Sequence, residues 1–142
     1  MDIAIRQDTI LPDAALAAVK AAVEKGLSMG CRVNCAVVDA GGNLVAFFRA
    51  HGAFLHSIHI AQDKAYTAVS FGIPTAQLYE RINGAAQVRD GLLQRDRLVA
   101  IGGGLPITLD GRVIGGIGVS GASEEQDTLC AQAGLSALGV AV

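Results

Sequence analysis

Two short glycine-containing turns, each set between apolar runs, restrict this chain more than any other feature. Ala40-Gly41-Gly42-Asn43 separates a run over 33–39 from one over 44–49, and Asp110-Gly111 separates 105–109 from 112–119. Connections this short join antiparallel neighbours, because a parallel pair needs a crossover of about a dozen residues or more. A further strand is expected over 98–101, ahead of Gly102-Gly103-Gly104. Gly115, Gly116 and Gly118 lie inside the last run, and strand glycines mark places where something approaches the backbone closely. The sheet these runs predict is antiparallel and five-stranded.

Helical signals fill the rest. Residues 1–11 read as a short strand or an extended arm. Pro12 and Asp13 open a helix whose apolar stripe is Leu16, Val19, Val23 and Leu27, with Gly30 as its stop. A second helix spans 55–70. There Ile58, Ala61, Ala65, Ala68 and Val69 share one face at about 100° per residue, and His56, His59 and Asp63 share the opposite one. Lys64 falls on neither. Gly72-Ile73-Pro74 breaks this helix, Thr75 caps a shorter one to 82, and 85–97 reads as a further helical turn with loop. Ser123 and Gln126 have capping-box spacing and open a last helix to 138. The expected fold class is α/β (α+β), one domain over 1–142, with a central antiparallel five-stranded sheet flanked by helices.

Composition narrows the function. Half the residues are apolar, and 17% are charged, so part of the surface is expected to be covered by other subunits. With two tyrosines, four phenylalanines and 18 glycines, the core must be built from Val, Ile, Leu and Ala at close backbone approach. Eleven basic and thirteen acidic residues leave a net charge of -2 with no basic run, which argues against nucleic acid as a partner. No apolar run reaches the roughly 18 residues of a membrane span. The first thirteen residues lack the basic and apolar regions of a signal peptide, so a cytoplasmic location is expected. Cys31, Cys35 and Cys130 have neither the number nor the spacing of a metal site, and read as reduced thiols.

The residues fit for chemistry concentrate between 36 and 71. All three histidines, His51, His56 and His59, fall within nine residues. His56 and His59 are a helical turn apart, and Asp63 is placed to hold His59 from behind. With His51 swung in, three imidazoles and an open position suit zinc or iron, while one imidazole suffices for an axial bond to haem iron. The alternative is a polar surface or subunit interface. Asp39 and Arg49, near the ends of paired strands, either bridge one another or leave Arg49 to grip a carboxylate. Lys64 is either a buried ion-pair partner or an anion holder. Gly103 and Gly104 resemble a ligand-contacting loop without the order of a phosphate loop. Ser120 precedes free amide groups at a helix start, where an anion can sit unless Ser123 merely caps it. No nucleophile elbow is present.

The runs VVDAGGNLVAFFR, AQDKAYTAVSFGIPT, GGGLPI and VIGGIGVSGASEEQD resemble the GlcG/HbpS-like family, the haem-degrading or haem-binding domain family, to which the PduO C-terminal domain is similar. The resemblance implies an α/β domain with a central antiparallel sheet, assembled into dimers or rings up to octamers. It also implies haem binding and operons for small organic acids. His51 stands where the family's R-x-D-G-A pattern has Asp. The function expected is that of a small-ligand-binding protein. Its ligand is haem or a related anionic molecule, in a histidine-lined pocket near a subunit interface. The alternative is a metal-dependent enzyme of organic-acid or aromatic-acid breakdown.

Overall fold

The computed structural model describes residues 1–142. In chain order it contains α1 (Pro12–Ser28), β1 (Asn34–Asp39), β2 (Leu44–Arg49), α2 (His56–Phe71), α3 (Thr75–Asn83), α4 (Ala86–Leu93), β3 (Gly104–Leu109), β4 (Arg112–Ser120) and α5 (Glu124–Leu138). No helix is long and apolar enough to cross a membrane.

Both hairpins form at the turns the sequence marks. Asp39 Oδ1 accepts from the amides of Gly41 and Asn43, which closes the first turn, and Gly42 takes φ 84°. At the second turn Asp110 (φ 50°) and Gly111 (φ 76°) are both left-handed, as a two-residue hairpin that follows the sheet twist requires. The sheet order is β2-β1-β4-β3, with every pair antiparallel. It has four strands, where five were expected. Residues 98–101 form no strand because side chains have taken their backbone groups. The Val99 amide donates to Thr67 Oγ1, and the Ile101 carbonyl accepts from Thr75 Oγ1. Thr75 is thus the first residue of α3 and a brace for this loop, not the cap; Pro74 holds the cap position. Residues 1–9 run as an exposed extended arm, joined at Ile10, whose amide donates to Ile114.

The layers follow from strand alternation. Cys35, Val37, Ile117 and Val119 point to one face, where Ala15, Ala18, Val19, Ala22 and Val23 of α1 meet Cys130, Ala131 and Leu135 of α5. On the other face, Ala36 and Val38 pack under Ala61 and Ala65 of α2. The register sets Ala36 against Gly118 and Val38 against Gly116, so the floor beneath α2 is built of small residues. A Cβ on Gly118 would overlap the Ala61 carbonyl oxygen, and one on Gly116 the Ala65 carbonyl oxygen. The glycines of β4 therefore let a helix backbone rest on a strand backbone. The sequence marked this approach without saying what makes it.

Because neither backbone can move aside, Gly118→Ala should cost about 1–3 kcal/mol or block folding. Gly91→Ala, inside α4 with nothing within 4 Å of the added carbon, should instead gain up to about 1 kcal/mol. Urea unfolding followed by far-UV circular dichroism separates the two. Equal effects would mean that α2 is not seated on β4.

Candidate functional site

Helix α2 divides the molecule's polar residues. Its inward face holds Ser57, Ala61, Lys64, Ala65, Thr67 and Ala68. Ile58 and Val69, expected on that face, are only half-buried. The helix is rotated so that Lys64 points in. Lys64 Nζ donates to Asp127 Oδ2 of α5 (3.1 Å) and to the Val119 carbonyl (2.8 Å), and the side chain is 2% exposed. Of its two readings, the structure takes the buried ion pair. Burial pushes Lys64 down and Asp127 up, each toward its neutral form, while their mutual attraction opposes both shifts.

Three further candidates belong to this buried pair. A Cβ on Gly103 (φ 120°) would stand 2.8 Å from Lys64 Nζ, and one on Gly104 would stand 2.6 Å from the Lys64 carbonyl oxygen. These glycines let the loop close over the lysine and present nothing outward. Ser120 is buried opposite Asn34 in the β1–β4 ladder. The amides beyond it are taken: Ala122 donates to Asp127 Oδ1, and Ser123 and Gln126 complete the capping box. The anion anticipated at this helix start is the protein's own carboxylate.

Asp39 and Arg49 do not meet. Arg49 pairs with Asn34 at the far end of the hairpin, five strand residues or about 17 Å from Asp39. Asp39 is spent on its turn. Arg49 Nη2 donates to the Ala53 carbonyl (2.7 Å), and Asn34 Nδ2 donates to Phe54 (3.1 Å). Together they pin the segment that opens α2. Arg49 Nε and Asn34 Oδ1 stay buried without partners.

The outward face carries His56 and His59, both exposed, a turn apart as expected. Beside them Phe54 and Leu55 are 69% and 70% exposed, an apolar step at the head of the helix. His51 is exposed in the preceding turn, where Gly52 (φ 86°) bends the chain against Arg32. No three His, Cys, Asp or Glu side chains lie close enough to hold one metal ion. The carboxylate expected behind His59 faces elsewhere, since Asp63 Oδ1 accepts from Arg97 Nε at 3.3 Å.

Arg97 is the residue that the sequence did not single out. It is left-handed (φ 64°), and its guanidinium lies 3.7 Å from the centre of the Tyr66 ring. The same ring abuts Gly42, where a Cβ would be 2.8 Å away. Turn, helix and loop so border an open depression of about 560 Å³ lined by His59, Gln62, Asp63, Arg97 and residues 42–44. Only the meeting of three distant segments creates it, and no local pattern around Arg97 announces it.

Fold and surface define a small α+β protein in which one sheet carries a helix with an exposed imidazole face. The chain belongs to the HbpS-like family of haem degrading proteins, whose model matches residues 10–136. It is 39% identical over 128 residues to an uncharacterized 15.0 kDa protein of the dhaT-dhaS intergenic region of Citrobacter freundii, covering 89% of this chain and 90% of that one. The Klebsiella pneumoniae protein ORFY superposes with a TM-score of 0.92 at 31% identity, over 100% and 99% of the two chains. A PduOC:heme complex superposes with a TM-score of 0.85 at 33% identity, over 94% and 97%.

Breaking the buried pair from one side strands a charge. Lys64→Met should cost about 3–5 kcal/mol at pH 7, and the double variant Lys64→Met/Asp127→Leu clearly less. The pH slopes should be opposite. Without Lys64, Asp127 has a raised folded-state pKa, so Lys64→Met recovers stability as pH falls and the carboxyl protonates. Without Asp127, Lys64 has a lowered one, so Asp127→Asn recovers as pH rises and the amine deprotonates. Denaturant midpoints from pH 5 to 9 show both; parallel slopes would contradict the pair.

Proposed function

We propose that this protein binds haem on the outer face of α2, with His56 or His59 as the axial ligand to iron. The observation that carries this is the likeness, along nearly the whole chain, to a relative solved as a haem complex. The surface suits such a ligand. Haem asks for one imidazole, a flat apolar neighbour and a cation for its carboxylates. Phe54 and Leu55 offer the apolar contact beside His56, and Arg49 holds the segment that presents them.

The exposed apolar residues also support a homo-oligomer, from dimer to octamer, in which a second subunit completes the pocket. Leu44 and Phe48 on the edge strand β2 are 49% and 44% exposed, and an unpaired edge bearing such residues invites a partner. In this reading residues 1–142 act as one domain, in the cytoplasm, with a small molecule and further copies of the chain as partners. A metal-dependent enzyme of organic-acid breakdown needs His51, His56 and His59 on one ion. With no three donors gathered, the single-imidazole site is preferred.

Titration with hemin should produce a shifted, saturable Soret band at about one equivalent per chain. His56→Ala or His59→Ala should remove or displace that shift, whereas His51→Ala should leave it. Hemin absorbance that stays as in buffer, or a band unchanged in all three variants, would end the proposal.

A further inference from the structure

We infer that the hollow under Arg97 is a carboxylate-binding site, with the terminal nitrogens of Arg97 as its anchor. A non-glycine residue in the left-handed region is uncommon, and persists only where its surroundings fix it. Here they do: Thr67 Oγ1 donates to the Arg97 carbonyl (2.9 Å) and accepts from the Val99 amide (3.1 Å). The side chain is fixed as well, by Tyr66 beneath it and by Asp63 on its Nε. Only Nε is used. No protein acceptor takes Nη1 or Nη2, and the side chain is 44% exposed.

A planar guanidinium with backbone and plane held in advance, and both terminal nitrogens open, is built to take a carboxylate end-on through Nη1 and Nη2. The charges around it agree. His59 and Gln62 line the same hollow. Asp39 is turned away into its own turn, where Asn43 Nδ2 and two amides occupy it. The carboxylate in contact with Arg97 is Asp63, which meets the guanidinium from the Nε side and leaves the other edge free. The carboxylate has two possible sources: a free small organic acid, or a propionate of haem held at His59. The second source rests on the haem reading; the first does not.

The test uses the full chain and two probes. Sodium succinate is titrated against sodium chloride of equal ionic strength, following backbone amide shifts by NMR. Saturable shifts at His59, Tyr66 and Val99 are expected with succinate alone. Arg97→Asn should weaken them by about tenfold or more; asparagine tolerates the left-handed backbone, so the fold survives. Asp63→Asn, which leaves the guanidinium and removes the facing carboxylate, should tighten binding severalfold, an effect that a merely structural Arg97 would not show. Hemin is then compared with hemin dimethyl ester, in which both propionates are blocked. A propionate contact makes Arg97→Asn weaken hemin about tenfold and leave the ester unchanged. Succinate shifts lost in Arg97→Asn support the free acid, and the hemin–ester difference supports the propionate. If succinate causes no saturable shift and Arg97→Asn affects hemin and ester alike, the site is overturned, while a Soret shift keeps haem binding intact. Succinate shifts lost in Arg97→Asn without any Soret shift retire haem and keep the site, and succinate shifts that persist unweakened in Arg97→Asn overturn it.

Discussion

The backbone of α2 lies on a part of β4 that turns no side chains toward it. The placement of Lys64, His56, His59 and Tyr66 follows from that contact. Gly116 and Gly118 remove the Cβ atoms that would hold the helix away, and Ala61 and Ala65 present the smallest side chains available to meet them. A helix seated so low has little room for large apolar groups beneath it. It buries instead the stem of Lys64, whose ammonium passes beneath Gly103 to reach Asp127 and Val119. The ion pair is a consequence of close approach: the cation finds its partners past the edge of the contact. Such a pair stabilises little by itself, but losing either partner leaves the other charge buried and unpaired.

Fixing α2 in this way determines what the surface offers. The rotation that sends Lys64 inward turns His56 and His59 outward, and it brings Tyr66 under both the Gly42 turn and Arg97. Arg49 and Asn34 act at the other end, where they hold Ala53 and Phe54 and so set the first turn of the helix. The exposed face of α2 is therefore bounded at its start by an apolar step and on its flank by a fixed guanidinium. Haem and a small carboxylate make compatible demands on such a face, an imidazole for iron and a guanidinium for a carboxylate.

Much of this is legible in the sequence. The hairpin turns, the antiparallel pairing, the capping box at Ser123 and the pair His56/His59 follow from local patterns, and each forms where the pattern put it. The expected fifth strand failed because strand propensity at 98–101 competes with two threonine hydroxyls from other helices, which local sequence cannot weigh. Gly103 and Gly104 resembled a ligand loop for a related reason. A glycine that admits a ligand and a glycine that admits a neighbouring side chain look the same in sequence.

Sequence by itself determined the two hairpins, the main helices and the family, because turn chemistry, periodicity and glycine placement act over a few residues. Only the tertiary structure decided which charged groups face inward and which meet. Lys64 and Asp127 are 63 positions apart, and Arg97 and Asp63 are 34 apart. Burial and ion pairing depend on distance in space, and no local pattern records that a lysine will be desolvated or that an arginine will be left with two free nitrogens.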